Sequence, residues 1–450
     1  MITNRAERRH SAGFLLSGPK MIPSTHASQS LLSMPRPKRV PITGTSSRPG
    51  REPVDGLWVL CNNVCNMACP DCFIPITRRP SEARRLPWED LEGALDHFLA
   101  SGPRRAKVVT VFGGEPFMDY PLLRRMALRL KRSPYPPLLE IYTNGTLAKP
   151  EMVLGLAYPR LRVFVSLDGD KTGNDRYRVF GSRSSRSVHD AVLRGLERLP
   201  VESLAVNAVV HPENMDGLLE SLDRLSRRGI RTIDMIPDLC RPWAAASIRR
   251  LGEFSKEFAR YYAGRTEAED RPPFYSAAVA QAIRVGAAIL RGEVWWERCP
   301  HLILGCDGNY YACEGSLYEP RGVRVAADVP IGRGRRGEGP DWEARRRFMD
   351  EANRFLRRME APRCWQAACP VLYYKFARRS GADPAASMDQ LHAVSQAFLM
   401  PLAELALRLG RQPAFRECYL PGLSDAALVE IETAFRVTTS SRPPSPRRAG

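Results

Sequence analysis

The chain has 450 residues, 44% of them hydrophobic, so it can bury a large core divided among two or three domains. Its apolar runs fall short of the roughly 18 residues that a membrane span needs, and the apolar segment at 13–16 is too short for a signal peptide. Its eleven cysteines form groups at spacings typical of metal ligands in a reducing compartment, which argues against a secreted disulfide scaffold. We therefore expect a cytoplasmic protein with no membrane partner.

The net charge of +18 is concentrated at the two ends of the chain. Residues 1–52 carry nine Lys or Arg against two acids, and residues 436–450 carry four Arg and no acid. Both segments are rich in Ser, Pro and Arg and lack hydrophobic periodicity, so we predict that they are disordered basic tails. A solvated tail explains most of the charge, and nucleic acid is not an expected partner.

From residue 57 onward, segments typical of strands alternate with segments typical of amphipathic helices. Strands are predicted at 57–61, 107–112, 138–143, 161–167, 203–210 and 231–236. Helices are predicted at 88–100, 121–132, 151–157, 187–199 and 214–228. Such alternation gives an α/β fold with a parallel sheet and right-handed crossovers. Six units predict an open, partial (β/α)6 barrel of TIM type, with its active site at the carboxyl ends of the strands.

The predicted domain order follows from these changes in pattern. The partial barrel is expected over 53–240, followed by bridging helices over 241–298, a small cysteine-rich α+β domain over 299–372 and a C-terminal helical segment over 373–435. Within these, two helices are predicted in 244–292, a turn between two short strands around 307–311, a Gly- and Arg-rich loop at 332–347 and a last helix at 389–409.

The first cysteine group follows the first predicted strand directly. Cys65, Cys69 and Cys72 form a C-x3-C-x2-C triplet. Three thiolates on one loop can hold three irons of a 4Fe–4S cube and leave the fourth iron without a protein ligand. A closed structural zinc site would need a fourth protein ligand. Cys61 would break the triplet spacing, and we predict that it is a buried packing residue.

A Gly-Gly-Glu-Pro turn, residues 113–116, follows the second predicted strand. Gly113 and Gly114 allow the backbone to approach a ligand closely and to reach positive φ. Glu115 can accept a charge-assisted hydrogen bond from an ammonium group. The alternative is a tight strand-to-helix turn in which Pro116 begins the helix.

Together, the cysteine triplet and this turn resemble the radical S-adenosylmethionine (SAM) superfamily. The resemblance implies that Cys65, Cys69 and Cys72 hold a catalytic 4Fe–4S cluster and that Gly113, Gly114, Glu115 and Pro116 contact the methionine end of SAM. Reductive cleavage of SAM would then release a 5′-deoxyadenosyl radical that abstracts hydrogen from a substrate. The electron would come from an external donor of the flavodoxin or ferredoxin type.

Further residues are implied by a second stretch. Ser166-Leu-Asp-Gly169 and the later Asn174–Arg178 segment are similar to the SLDG…HDxYR stretch of peptide- and protein-modifying radical SAM enzymes, with Asn174 where that family has His. In that family the serine lies near the SAM ribose or carboxylate and the arginine can bind the carboxylate. Ser166 and Arg178 are therefore candidates for binding SAM. Asp168 is another candidate, or it caps the turn.

Two asparagines at strand ends, Asn144 and Asn207, could reach the adenosine or serve only the local turns. One residue departs from the superfamily pattern. An aromatic residue usually precedes the last cysteine, near the adenine, and this chain has Asp71 there. Phe73 could take over part of that contact.

The second cysteine group resembles a SPASM or Twitch domain, the auxiliary-cluster module of many radical SAM enzymes. Four thiolates, from Cys299, Cys313, Cys364 and Cys369, would close one auxiliary 4Fe–4S cluster. A second auxiliary cluster, using Cys306 and Cys418 and keeping an open iron, is a less favoured alternative. Zinc bound by the same thiolates is a structural alternative. Cys240, after the sixth strand, could be a ligand, a hydrogen donor or inert.

The resemblance implies an oxidoreductase that modifies a ribosomally made peptide or a protein side chain, by cross-linking or oxidative maturation. Dehydrogenation of a small molecule is the alternative within the superfamily. An interpretation from another class is a non-catalytic, zinc-rich protein that binds nucleic acid. That interpretation predicts basic and aromatic residues beside the cysteines, whereas the neighbours in 65–72 are Asn, Met, Ala, Pro and Asp. A peptide or protein is therefore the expected partner.

Overall fold

A computed structural model describes residues 54–77, 79–101, 107–181, 186–239, 241–291, 296, 299–317, 329–421, 428–429 and 432–433. The predicted basic tails at 1–52 and 436–450 lie outside the described residues, and so does Cys240.

A single sheet runs through the described part of the chain. Its strands are β1 (Gly56–Leu60), β2 (Val108–Phe112), β3 (Leu138–Thr143), β4 (Leu161–Ser166), β5 (Leu204–Val210), β6 (Thr232–Pro237), β7 (Tyr275–Ser276), β8 (His301–Leu304) and β9 (Tyr310–Tyr311). Their order is β7-β6-β5-β4-β3-β2-β1-β8-β9. Neighbouring strands are parallel except β8 and β9, which are antiparallel. The predicted partial α/β barrel, open rather than closed, is confirmed.

Helices connect these strands and extend the chain beyond them. They are α1 (Trp88–Ala100), α2 (Tyr120–Lys131), α3 (Pro150–Gly155), α4 (Lys171–Tyr177), α5 (Val188–Leu196), α6 (Met215–Arg227), α7 (Ala245–Glu269), α8 (Ala277–Arg291), α9 (Trp342–Arg358), α10 (Pro370–Ser380), α11 (Pro384–Leu409) and α12 (Pro413–Tyr419). Short 3-10 helices lie at Pro80–Glu82, Pro116–Asp119, Val201–Ser203, Glu314–Leu317 and Ala361–Arg363. Among the described helices, none is both long and apolar enough to cross a membrane.

The strands form where apolar, β-branched residues are consecutive. All five residues of β2, Val-Val-Thr-Val-Phe, are buried, as expected for a parallel strand that is covered on both faces. On the outer face the sheet packs against helices such as α6, whose Leu218, Leu222 and Leu225 are buried. On the inner face a second apolar cluster contains Leu60 and Phe112 together with Ile74, which belongs to the loop after β1. That loop therefore folds across the mouth of the barrel.

The cysteine-rich region is joined to the barrel sheet, a relationship that the sequence did not predict. Strand β8 lies beside β1 in parallel, with Val59 opposite Leu304. Ile303 and Leu317 add to the apolar cluster on the inner face. The carboxyl end of β8 therefore opens at the same edge as the loop after β1.

The predicted loop at 332–347 is wrong for its last residues, because α9 begins at Trp342. Asp341 caps this helix, since its carboxylate accepts hydrogen bonds of 2.9 Å from the backbone N–H groups of Glu343 and Ala344. The buried face of α9, which includes Met349 and Leu356, is narrow. Because most other residues of this helix are polar or charged, its hydrophobic periodicity is weak in the sequence.

Candidate active site

The cysteine triplet lies on the loop after β1, at the carboxyl edge of the sheet. Cys65, Cys69 and Cys72 are partly buried. Burial, then the nearby Glu115 carboxylate and the other two thiols, raises the pKa of the Cys65 thiol to about 12, although the Met67 backbone N–H, 3.3 Å from the sulfur, opposes the shift. The loop thus brings three soft sulfur donors together, a donor set that fits three corners of an iron–sulfur cube.

The Gly-Gly-Glu-Pro turn packs directly on this loop. The Gly114 N–H donates to the Asn62 carbonyl at 3.0 Å, and the Glu115 N–H donates to the Val64 carbonyl at 2.8 Å. A Cβ on Gly114 would lie 1.9 Å from the Val64 carbonyl oxygen, and one on Gly113 would lie 2.7 Å from the Asn62 oxygen. The glycines were predicted to let a ligand approach. In the structure, the group that approaches is the backbone of the cysteine loop, and neither glycine has positive φ.

Glu115 joins three segments at the edge of the sheet. Its fully buried carboxylate accepts hydrogen bonds from the Phe117 N–H at 3.0 Å, the Thr143 hydroxyl at 2.7 Å and the Asn144 N–H at 2.8 Å. Burial raises the pKa of this carboxyl, and these donors oppose the shift. A carboxylate offers about four lone-pair positions, so one remains for a ligand. Pro116 begins a 3-10 helix, as the alternative interpretation of the turn expected.

Asn144, at the end of β3, faces the cysteine loop. Its Nδ2 donates to Asn66 Oδ1 at 2.9 Å and lies 3.8 Å from the Cys65 sulfur. Its Oδ1 accepts from the Thr146 N–H at 2.9 Å and from the Thr146 hydroxyl at 2.7 Å. This places an amide N–H beside one of the thiols.

Ser166, the last residue of β4, lies beside Asn207 because the two are register partners. Asn207 is in the middle of β5, so its predicted position at a strand end is wrong. Asn207 is also opposite Asp234 on β6, so the three side chains share one face at one level of the sheet. All three are mostly buried but not fully enclosed. Asp234 was not predicted as a site residue, although an acidic residue inside an otherwise apolar strand is a usable signal. Burial is the main cause that raises the pKa of Asp234 to about 7.

Asp168 and Arg178 form a buried ion pair. Arg178 Nη2 donates to Asp168 Oδ1 at 2.9 Å, and Nε lies 2.7 Å from Oδ2. The Val209 N–H donates to the same carboxylate at 2.8 Å. Burial lowers the pKa of Arg178, but Asp168 and the thiols of Cys69 and Cys72 outweigh it, and the net shift is upward. The predicted SAM-carboxylate ligand, Arg178, is therefore held by a carboxylate of the protein itself.

The residues after Arg178 continue onto the cysteine loop. The Ala68 N–H donates to the Val179 carbonyl at 2.7 Å, and the Gly181 N–H donates to the Asn66 carbonyl at 2.8 Å. A cleft of about 540 Å³ opens beside this junction, and Cys65 and Phe180 contribute to its wall. The 113–116 turn, Asn144 and the segment after Arg178 thus converge on one loop.

Asp71 forms an ion pair with Arg241, which follows β6. The departure of Asp71 from the superfamily pattern is visible in the sequence, but its ion-pair partner is not. Phe73, which was expected to take over an adenine contact, is 38% exposed. Cys61 is buried, as predicted.

The second cysteine group brings three of its predicted members together. Burial, then Cys369 and Glu314, and finally Cys299, raise the pKa of the Cys313 thiol. Burial and then Cys299 raise the pKa of Cys369 to about 12. Cys369 is also the residue that precedes α10, at the N-cap position. Cys299, Cys313 and Cys369 therefore interact electrostatically as one group.

The other cysteines lie in different surroundings. Cys364 Sγ is 3.5 Å from the Glu360 carbonyl, and burial, Glu360 and Asp389 raise the pKa of its thiol to about 11. Cys306, after β8, packs against the same inner-face cluster as Cys72. Cys418 is buried on α12.

Comparison with known proteins agrees with this geometry. Residues 59–236 match the family model described as the radical SAM superfamily. Among solved structures, a polyhistidine-tagged anSMEcpe with bound AdoMet is similar to this chain at a TM-score of 0.56 and 14% identity, covering 86% of this chain and 98% of that chain.

Native anSMEcpe with bound AdoMet and Cp18Cys peptide has a TM-score of 0.54 and 14% identity, covering 78% of this chain and 96% of the other. Streptococcus suis SuiB bound to S-adenosylmethionine reaches a TM-score of 0.46 at 15% identity, over 76% of each chain, which is too low to support an argument. At these identities the likeness to anSMEcpe shows a common fold.

Proposed function

Because residues 59–236 form a radical SAM domain, we propose that the protein is an enzyme that cleaves SAM reductively and uses the resulting radical to oxidise a peptide or protein side chain. The observation that carries this proposal is the convergence of the Cys65–Cys72 loop, the 113–116 turn and the Arg178 segment at the carboxyl edge of the sheet. The donor set fits a 4Fe–4S cluster, which, with SAM bound, would supply a 5′-deoxyadenosyl radical that abstracts hydrogen.

The residues around the triplet would hold and orient these groups. Cys65, Cys69 and Cys72 would bind the cluster. Glu115 has one acceptor position left beside its three protein donors, and it would accept from the SAM ammonium group. An electron would arrive from an external donor of the flavodoxin or ferredoxin type.

The nucleoside end of SAM would be held further across the barrel mouth. Ser166 and Asn207 present polar side chains, mostly buried but not fully enclosed, on one face, where a nucleoside could be bound. In the structure, Arg178 is neutralised by Asp168. We therefore assign Arg178 the role of fixing the loop beneath Cys69 and Cys72 in preference to binding the SAM carboxylate.

One observation supports a peptide or protein as the substrate. One similar structure, native anSMEcpe, holds a bound peptide together with AdoMet, and the fold likeness covers 78% of this chain. A separate observation concerns an auxiliary cluster. The second cysteine group lies on strands and helices joined to the barrel through β8. We propose that Cys299, Cys313 and Cys369 hold one auxiliary 4Fe–4S cluster. The choice of Cys364 as the fourth ligand rests on the resemblance to a SPASM or Twitch domain.

The test is anaerobic turnover of the reconstituted protein. With dithionite and SAM, the wild type is expected to form 5′-deoxyadenosine, and a variant with Cys65, Cys69 and Cys72 replaced by alanine is expected to form none. Cys61→Ala is the matched control, because Cys61 is buried in the same loop but lies outside the triplet. Undiminished 5′-deoxyadenosine from the triple variant would refute the proposed function.

The substrate class has a separate test. Candidate peptides rich in Cys or Ser are incubated under the same conditions and examined by mass spectrometry for loss of hydrogen. A mass change that requires SAM and the cysteine triplet would support peptide oxidation. SAM cleavage with no change in any peptide, but with oxidation of a small alcohol or amine, would reassign the substrate class.

A further inference from the structure

Asp71 and Arg241 connect the two strand ends that border the barrel mouth. Asp71 lies on the loop after β1, between Cys69 and Cys72, and Arg241 lies after β6. The carboxylate and the guanidinium are in direct contact although the residues are 170 positions apart in the chain. The Asp71 side chain is 14% exposed and the Arg241 side chain 39%. Removing one partner of a partly buried ion pair costs more than removing one on an open surface, because the other charge is left unpaired.

Other charged and aromatic groups hold Arg241 in place. Its Nε lies 3.5 Å from Asp238 Oδ2, and the same oxygen lies 3.4 Å from Nδ1 of the buried His211. The guanidinium carbon is 5.0 Å from the centre of the Tyr177 ring, which in turn stacks on His211 at 3.8 Å. Arg241 therefore has carboxylates on two sides and an aromatic ring beside it.

Three side-chain hydrogen bonds fix the backbone after β6. Gln390 on α11 donates to the Arg241 carbonyl at 2.7 Å, and Trp243 Nε1 donates to the Asp238 carbonyl at 2.5 Å. The Tyr373 hydroxyl on α10 donates to the Leu239 carbonyl. Cys369 precedes α10 directly, at its N-cap position. Tyr373, one turn into the same helix, therefore connects that thiol to the segment that carries Arg241.

The two halves of the cysteine loop are held in different ways. Residues 62–68 are bound by backbone hydrogen bonds to the turn after β2 and to Val179. Residues 69–72 carry two of the three thiols, and a side-chain ion pair from Asp71 ties them to the end of β6. The position of those thiols relative to the barrel mouth thus depends on a charge interaction in addition to backbone pairing.

We propose that Asp71 and Arg241 form an ion-pair latch that holds the second half of the cysteine loop against the end of β6 and so sets the position of bound SAM relative to the triplet. Both are positioning residues, and the proposal rests on the proposed function. Through Tyr373 the latch also connects the cysteine loop to the helix that follows Cys369.

A metal site is the alternative explanation of the same residues. Donor atoms of Asp71, His211 and Asp238 all lie within 4.8 Å of one another. Arg241, however, already places a positive charge between the two carboxylates, where a divalent cation would be repelled. We therefore assign these acids to Arg241.

The test compares Asp71→Asn and Arg241→Gln with the reconstituted wild type. Both are expected to keep the iron of the wild type but to bind SAM about tenfold more weakly, with the double variant no weaker than either single one, because the residues act as one pair. The change that SAM causes in the electron paramagnetic resonance spectrum of the reduced cluster is expected to be reduced in both. Arg241→Lys, which keeps the charge, is expected to recover part of the affinity.

Two controls separate positioning from general destabilisation. Asp216→Asn breaks an exposed ion pair with Arg250 and is expected to leave SAM affinity unchanged. Tyr373→Phe removes one neutral hydrogen bond, from the Tyr373 hydroxyl to the Leu239 carbonyl. It is expected to weaken SAM binding about threefold. Tyr374→Phe is its matched control, since that hydroxyl bonds to Glu351 instead.

Several results would overturn the latch. These are wild-type SAM affinity and spectrum in Asp71→Asn, additive losses in the double variant, or an Arg241→Lys protein as impaired as Arg241→Gln. A stoichiometric non-iron metal that disappears in Asp238→Asn would show a metal site instead. A wild type that binds SAM without cleaving it would contradict the proposed function and leave the comparison of binding among variants intact.

Discussion

Arg178 Nη2 donates to Asp168 Oδ1 at 2.9 Å in a pair whose side chains are 14% and 2% exposed. Removing one partner leaves a buried charge without its counter-charge, which is more costly than losing the attraction alone. We predict that Arg178→Met lowers the free energy of unfolding by about 3 kcal/mol and that Asp168→Asn restores part of the loss in the double variant. Anaerobic urea unfolding measures both.

The matched control for this pair is Arg224→Gln. Arg224 pairs with Glu220 on the surface of α6, where the two side chains are 57% and 75% exposed. We expect it to change the free energy of unfolding by less than about 0.5 kcal/mol. If the two arginine variants lowered the free energy of unfolding equally, the ion pair of Arg178 with Asp168 would contribute no more than an exposed one.

The second prediction concerns Gly114, whose Cα lies against the backbone of Val64. A Cβ at this position would be 1.9 Å from the Val64 carbonyl oxygen, inside the cysteine loop. Gly114→Ala is therefore expected to displace that loop and to lower iron incorporation at the triplet several-fold, with the rest of the fold preserved. Iron analysis and far-UV circular dichroism of the same preparation measure the two effects.

Gly264 provides the comparison for Gly114. It is an exposed glycine on α7, with nothing within 4 Å of the position its Cβ would take. Gly264→Ala is expected to keep the iron content and to stabilise the helix by up to about 1 kcal/mol. Equal iron content in both alanine variants would contradict the packing argument.

Asp234 predicts a pH dependence of stability. Burial raises the pKa of its carboxyl from an ordinary 3.8 to about 7, so the folded protein holds this proton more tightly than the unfolded chain does. The resulting stabilisation is complete below about pH 4 and is lost as the pH rises through about 7, with an upper limit of about 4 kcal/mol. Asp234→Asn removes the titration. Unfolding midpoints from pH 5 to pH 8 should therefore fall more steeply for the wild type than for the variant.

The barrel could be predicted because its signals are local. Alternating apolar segments predicted all six barrel strands and placed α1 at its observed bounds, Trp88–Ala100. The cysteine spacing and the 113–116 turn also lie within short stretches of sequence. For Gly114, however, sequence reasoning expected a ligand, whereas its close neighbour is the Val64 backbone.

Long-range pairings had no such signal. β8 joins β1 across more than 240 residues, and Asp71 meets Arg241 across 170. A charged residue on a loop has many possible partners, and no period in the sequence selects one. Asp234 was missed for a related reason, since its role depends on lying beside Asn207 in the register of the sheet.

The auxiliary thiols give the last prediction. Cys299, Cys313 and Cys369 interact electrostatically, whereas Cys418 is buried on α12 beside Tyr262. We predict that Cys313→Ala loses about four irons per chain, one complete auxiliary cluster, and keeps the SAM-binding cluster. Cys418→Ala is expected to keep all the iron and to lose only packing energy, about 1 kcal/mol.

Iron and sulfide analysis of anaerobically reconstituted protein measures these losses, and 5′-deoxyadenosine formation reports separately on the cluster at Cys65–Cys72. If the wild type held zinc at these thiolates and Cys313→Ala lost that zinc, the site would be a structural zinc site, because all-sulfur tetrahedral ligation suits both metals. Iron loss from Cys418→Ala equal to that from Cys313→Ala would place Cys418 among the ligands, against the geometry of α12.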